Sequence, residues 1–214
     1  MLKTVKTVKT PKGNKIELIE TQNNKYGKTV LVIGVFHGEE PQGEYLINEF
    51  LKSDLSGIRN KLLFVPCLNP DGKSVNKRQN SNGIDLNRNF PTKNWRHTDS
   101  SEYFGGNAPN SEVETRFMVE ILNDYKIDAV LSIHAPFKIV NYDGPAKELA
   151  DKISELTGYP VQADIGYPTP GSFGNYSGVE RQIPTITLEL PEDVTNENLW
   201  IVNKPVFDYL AYEF

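Results

Sequence analysis

The sequence predicts a three-layer α/β fold, and three observations carry that reading. Several strand-length runs are continuously apolar, as expected of strands buried on both faces of a sheet. Stretches with helical periodicity alternate with them along the chain. The length of 214 residues, with 38% apolar and 24% charged residues, suits one globular domain with a real core. No Pro/Gly-rich linker divides the chain, so residues 1–214 are read as a single domain.

The elements follow in order. Met1 to Thr10 alternates Lys, Thr and Val and never builds the apolar segment of an export signal, which predicts a cytoplasmic protein. Strands are expected at Lys15 to Glu20, Thr29 to Phe36, Lys61 to Pro66, Ala129 to Ile133 and Thr185 to Leu190. Helices are expected at Gln42 to Lys52, Glu112 to Tyr125, Ala146 to Thr157 and from about Glu197 to Tyr212, the last with a kink at Pro205. Ser111 followed by Glu114 has the spacing of a capping box for the second of these helices. Asn69 to Asn110 is rich in Asn, Asp, Gly, Ser and Arg, with almost no apolar periodicity. A connection that long in a compact domain usually carries function.

Composition removes several classes of function. Lys+Arg total 23 against 28 Asp+Glu, for a net charge of -5, and no dense basic block is present, which argues against a nucleic-acid groove. The longest apolar runs fall far short of the roughly 20 residues that span a bilayer. A single cysteine, Cys67, excludes an internal disulfide framework and a cysteine-built zinc site. Metal chemistry, if present, must use histidine and carboxylate.

Only three histidines occur, so each can be weighed. His37 closes an apolar strand pattern, at the strand end where open α/β sheets place ligands. Glu40 stands three residues on, and Gly38 lets the chain turn so that both side chains can meet one ion. His134 closes a second strand pattern, 97 residues after His37. Two histidines and a carboxylate are a three-ligand set that leaves a position for water, the pattern of a catalytic zinc. Glu189, at the end of a third strand, suits a proton acceptor beside such a site. Arg78 and Arg88, in the long polar loop with its Asn82-Gly83 turn, suit carboxylate capture and oxyanion stabilisation. Arg96, Arg116 and His97 are read as surface residues.

Gly34-Val-Phe-His37-Gly-Glu-Glu40, Asn69-Pro-Asp-Gly72, Arg78-x-Asn80-x-x-Gly83-x-Asp85-Leu-Asn-Arg-Asn-Phe-Pro91, Asn110-Ser-Glu-Val-Glu114, Ser132-Ile-His134 and Thr187-Leu-Glu189-Leu-Pro191 occur in this order. Together they resemble the zinc metallocarboxypeptidases, and among them the small bacterial murein peptide amidases, over about residues 28 to 191. The resemblance implies a mixed, mostly parallel, eight-stranded-type sheet flanked by helices, and one zinc ion held by His37, Glu40 and His134. It implies Glu189 as general base and acid, Arg78 on the scissile carbonyl and oxyanion, and Asn87 and Arg88 on the α-carboxylate of the leaving residue. The implied reaction is attack of a promoted water on the amide before a C-terminal residue of a small peptide, with γ-D-glutamyl-meso-diaminopimelate the expected bond.

Two departures accompany the resemblance. Digestive members carry a mobile tyrosine near the pocket; Tyr167, 22 residues before Glu189, is the candidate for that contact, although Pro168 to Ser172 departs from the family pattern. Those members also have a basic residue where Glu39 stands, and Glu39 would favour an amine on the substrate. Gly171 to Tyr176 lacks the acid that selects Lys or Arg, so a strongly basic leaving residue is not expected. Other readings are a general carboxypeptidase or deglutamylase, an N-acyl amino acid deacylase, and a non-catalytic peptide-binding module.

Overall fold

The computed structural model describes residues 2–22, 27–99 and 101–214. Eight strands form one sheet in the order β1-β2-β4-β3-β5-β8-β6-β7: β1 Leu2–Lys9, β2 Lys15–Thr21, β3 Thr29–Ile33, β4 Lys61–Val65, β5 Ala129–His134, β6 Phe137–Asp143, β7 Val161–Gln162 and β8 Thr185–Pro191. The centre, β4-β3-β5-β8, is parallel; β2 on β4, β1 on β2 and β6 on β8 are antiparallel, which makes the sheet mixed. The helices are α1 Gln42–Leu51, α2 Pro70–Lys73, α3 Val113–Asp124, α4 Lys147–Thr157 and α5 Asn196–Tyr212. None is long and apolar enough to cross a membrane among the described residues.

Strand periodicity sorts the core into two halves. Val30 and Val32 of β3 and Leu62 and Phe64 of β4 face a cluster with Leu46, Ile47 and Phe50 of α1, Ile153 of α4 and Phe207 and Leu210 of α5. Leu31, Ile33, Leu63 and Val65 face the opposite cluster, with Phe117, Met118 and Ile121 of α3 and the rings of Phe36, Phe90 and Phe173. Successive side chains on a strand point to opposite faces, so a strand apolar at every position requires a covering layer on each.

The expected strands and long helices form, with three differences. β1, β6 and β7 were not expected; β1 is an edge strand with mostly exposed residues, β7 has two residues, and β6 begins with exposed Phe137 and Lys138, so none shows a buried-strand pattern. β3 stops at Ile33 rather than Phe36, because Val35 takes φ +56° and turns the chain out of the sheet. α5 continues through Pro205, whose missing N–H would have bonded the carbonyl of Ile201, a residue 68% exposed to water.

The expected capping box does not form. Ser111 donates to Glu112 Oε1 (2.7 Å), and Glu114 is fully buried beneath the first turn of α3. Asn89, from the long loop, serves instead: its Oδ1 accepts from the N–H of Glu112 (3.3 Å) and the hydroxyl of Thr115 (2.8 Å). This ties the loop to α3. Glu114 has one carboxylate oxygen with no partner among the described residues and receives a long side-chain bond from Asn80 (3.4 Å). Burial, with Glu112 adding repulsion, pushes its carboxyl up to about 7. A carboxyl raised on folding favours the folded state while protonated, and that advantage disappears as pH rises through its folded value.

Glu114→Gln should therefore lose less stability than the parent between pH 5 and pH 8.5. The difference in urea unfolding free energy, in which the metal's own pH dependence cancels, is expected to be on the order of 2–3 kcal/mol. Parallel pH curves for the two proteins would contradict a buried, proton-holding Glu114.

Candidate active site

The site forms at the C-terminal ends of three adjacent parallel strands. β3 sends its continuation to His37, β5 ends on His134, and β8 carries Glu189 in register with His134. Val35 in the left-handed region is an uncommon conformation for a β-branched residue. It lifts Phe36 and His37 above the sheet edge, where Phe36 stacks on His134 at 5.2 Å. Gly38 follows because a Cβ there would collide with the backbone of Gly72 and Lys73. The turn closes with the N–H of Glu40 on the carbonyl of His37 (3.1 Å), and α1 begins just after Pro41.

Glu40 joins the two imidazoles. His37 Nδ1 is 2.8 Å from Oε1 and His134 Nδ1 is 2.9 Å from Oε2, with all three residues buried. Their ligand atoms lie within 4.8 Å of one another. The other nitrogen of His37 faces Asp85 Oδ1 (3.2 Å), and Asp85 Oδ2 accepts from Arg78 Nε (2.9 Å). Burial pushes the pKa of His37 down, but Glu40 and Asp85 outweigh it and raise it to about 9. Burial pushes Glu40 upward, and the two imidazoles hold it well below the usual carboxylate range. Asp85 is held low in the same way, by His37 and then Arg78 against its own burial.

All eight residues singled out in the sequence, His37, Glu40, Arg78, Asn87, Arg88, His134, Tyr167 and Glu189, line one cavity of about 340 Å³. Glu189 Oε2 is buried without a partner, and burial raises its pKa, partly opposed by His134. Asn87 Oδ1 accepts from the N–H of Phe173 (2.9 Å), and Arg88 donates to the carbonyl of Asn87 (2.7 Å). Tyr167 is 43% exposed at the rim. Arg96, Arg116 and His97 are exposed, and His97 makes an edge contact to Phe104 at 5.9 Å.

The zinc carboxypeptidase family profile matches residues 1–152. The chain belongs to the zinc carboxypeptidase family. Among curated proteins of this family, murein peptide amidase A of Vibrio campbellii is 34% identical over 185 residues, 80% of this chain and 72% of that protein. Murein peptide amidase A of Escherichia coli K12 is 29% identical over 179 residues, 78% of this chain and 73% of that protein. The crystal structure of the murein-tripeptide amidase of Escherichia coli O157 superimposes with a TM-score of 0.79 at 26% identity, covering 94% of this chain and 87% of that one. A carboxypeptidase A from Helicoverpa armigera shares the fold, with a TM-score of 0.76 at 16% identity over 96% of this chain and 66% of that one.

The residues present fit the single zinc of a zinc carboxypeptidase. Two imidazole nitrogens and a carboxylate converge, and Asp85 stands behind His37 as the partner that fixes a ligating ring's tautomer. Ligation needs imidazole nitrogens free of protons, so metal affinity at such a site depends on pH.

Sequence reasoning missed five contributing residues. Asp85 lay inside the quoted loop motif but received no role, since nothing in the sequence brings it under His37. Asn80, Asn89 and Glu112 form the scaffold beneath the arginines, with Asn80 Nδ2 on Glu112 Oε2 (2.8 Å). Asp143, at the end of the unexpected β6, also lines the cavity. Its carboxyl is pushed up by burial alone. Gly171 to Tyr176 has no acid of its own, and the carboxylate beside it comes from another strand: Asp143 occupies the space that a Cβ at Gly174 would need.

Asp85→Asn should weaken zinc binding by roughly 10–100-fold, as loss of an outer-shell partner does, while His134→Ala should lose the metal. Competition against a chromophoric chelator reads both. Unchanged affinity in Asp85→Asn would remove the supporting role given to that carboxylate.

Proposed function

We propose that this chain is a zinc-dependent amidase of murein peptides, cleaving γ-D-glutamyl-meso-diaminopimelate and releasing the diamino acid. The observation that carries the reading is the polarity of the cavity. Arg78 and Arg88 line it on one side, and Asp143, Asp164 and Glu39 line it as well. Such a lining suits a leaving residue that presents a carboxylate and an amine together. The murein peptide amidases that resemble it over about three quarters of both chains support the same substrate class.

When bound, zinc supplies Lewis acidity and brings the pKa of a water molecule down to about 7. His37, Glu40 and His134 are the residues that hold it. Glu189 lies beyond the matched family segment, so its role rests on geometry: a buried carboxylate with a free oxygen, on the strand beside His134. Burial raises its proton affinity, which suits a group that takes a proton from water and delivers it to the departing nitrogen. Arg78 is oriented by Asp85 and offers its remaining N–H groups to the carbonyl oxygen as charge develops there. Asn87 and Arg88 hold the α-carboxylate, with planar, bidentate geometry available from the guanidinium. Asp143 holds the distal ammonium of the leaving residue, and Tyr167 closes over the rim.

Zinc-loaded protein should release free diaminopimelate from L-Ala-γ-D-Glu-meso-diaminopimelate, read by mass spectrometry beside an α-linked peptide of the same size. Trimming of the α-linked peptide alone would replace this reading with a general carboxypeptidase. Glu189→Gln should keep its zinc and lose roughly 10²–10⁴-fold in kcat; full activity would overturn the assignment of the base. Asp143→Asn should raise KM by at least about tenfold for a substrate ending in the diamino acid, the usual worth of a charge-assisted contact. It should leave KM unchanged for one ending in alanine, and an equal change on both would remove Asp143 from amine recognition.

A further inference from the structure

Arg78 and Arg88 share a neighbour that neither the sequence motifs nor the proposed chemistry uses. The ring centroid of Tyr103 is 5.0 Å from Cζ of Arg78 and 5.6 Å from Cζ of Arg88. Both lie within cation–π reach. Tyr103 lines the same cavity, and its phenol is turned to the carboxylate of Glu102, which holds its pKa up. The ring face, rather than the hydroxyl, is what the two arginines meet.

The backbone around this ring is fastened to both arginine-bearing segments. Gln79, next to Arg78, donates from Nε2 to the carbonyl of Ser101 (3.0 Å), and the N–H of Asp85 donates to the carbonyl of Phe104 (2.8 Å). Gly105 packs so closely on Arg88 that a Cβ there would strike its carbonyl. Two like charges brought into one cavity repel, and Asp85 makes its 2.9 Å ion pair with Arg78. The negative face of one aromatic ring is a further attractive group that both cations can use at once.

We propose that Tyr103 is a positioning residue that holds the Arg78 and Arg88 guanidiniums at a fixed spacing through its ring face. One substrate can then meet Arg78 with its scissile carbonyl and Arg88 with its α-carboxylate in a single pose. This inference rests on the roles given to those arginines above.

The test uses the zinc-loaded full chain and free meso-diaminopimelate as the probe, with its Kd read by calorimetry and kcat and KM read on the murein peptide. Tyr103→Leu, which removes the π face, should weaken probe binding and raise KM by roughly tenfold, the combined loss of two exposed cation–π contacts. Its kcat should fall severalfold, with zinc content and thermal midpoint unchanged. Tyr103→Phe keeps the face and should restore all three constants to within about twofold. Should Tyr103→Leu lower the midpoint, Tyr103→Met repeats the measurement with a longer side chain that also lacks a ring. Parent-like constants in the non-aromatic variants would overturn the proposal, as would Tyr103→Phe failing as badly as they do, which would move the role to the hydroxyl. Arg88→Ala is the control for the underlying reading: if it binds the probe as the parent does, the role of Arg88 fails, whereas a loss confined to Arg88→Ala counts against Tyr103 alone.

Discussion

The structure depends on one buried carboxylate, Glu40, that two buried imidazoles share. A charge taken out of water costs several kcal/mol unless it is paired and hydrogen-bonded; Glu40 lies at the C-terminal ends of the central strands with His37 and His134 on its two oxygens, and the N–H of Ala135 and Arg78 nearby. Pairing creates the next demand, since His37 has a second nitrogen that needs an acceptor. Asp85 supplies it, and being fully buried it needs compensation in turn, from Arg78 and from the N–H of Asn87 at 2.8 Å. The chain of obligations runs from the sheet into the loop. It ties the described part of the long polar loop that carries Arg78 and Asp85, a segment with little regular structure of its own, to the end of the sheet.

Asn residues do much of that holding, for a reason particular to the amide side chain. Each offers two donors and an acceptor without adding charge to a region already crowded with charge. Asn89 is fully buried and spans three segments, donating to the carbonyls of Gly105 (2.8 Å) and Ala108 (3.0 Å) while it accepts from the start of α3. Asn80 accepts from the N–H of Ile84 (3.2 Å) and donates to Glu112. Asp71 works as an anchor at the other end, accepting from Thr10 and Asn14 of the β1–β2 turn (both 2.7 Å) and from Ser81 (2.8 Å). The N-terminal hairpin is thereby attached to the loop that carries Arg78.

Much of this was legible in the sequence because burial and chemistry left separate marks. The central strands read clearly, since only a strand covered on both faces stays apolar at every position. The grouping of His37, Glu40 and His134 read clearly because two of three histidines fell at strand-pattern ends and Glu40 followed one of them. What stayed hidden had no periodic signature. β1 buries Val5 and Val8 in part while most of its residues are exposed, and β6 opens on exposed residues. The capping box failed because its spacing is a local signal: the Ser111 hydroxyl bonds Glu112 instead, and a distant amide, Asn89, meets the start of α3 through the N–H of Glu112 and the hydroxyl of Thr115. Asp85 could be seen but not placed, because its partner is 48 residues away in sequence.

Asp143 shows how much of a pocket's charge a local stretch of sequence leaves out. A pocket's charge is set by whichever side chain reaches its floor, and a short stretch of chain lining the wall gives only part of that information. Here the wall contributes absence: Gly174 and Gly178 have no Cβ, and Asp143 fills the room both leave. The acid comes from β6, held there by its antiparallel pairing with β8, in which Asp143 stands opposite Thr185 and Asn141 opposite Thr187. The strand that carries Glu189 also fixes the register of the strand that carries Asp143. A one-residue slip of β6 would turn its whole side-chain set to the other face of the sheet. The positions of Asp143 and Glu189 in the one cavity they line are therefore set by a single strand pairing, through backbone hydrogen bonds rather than through contact between the two carboxylates.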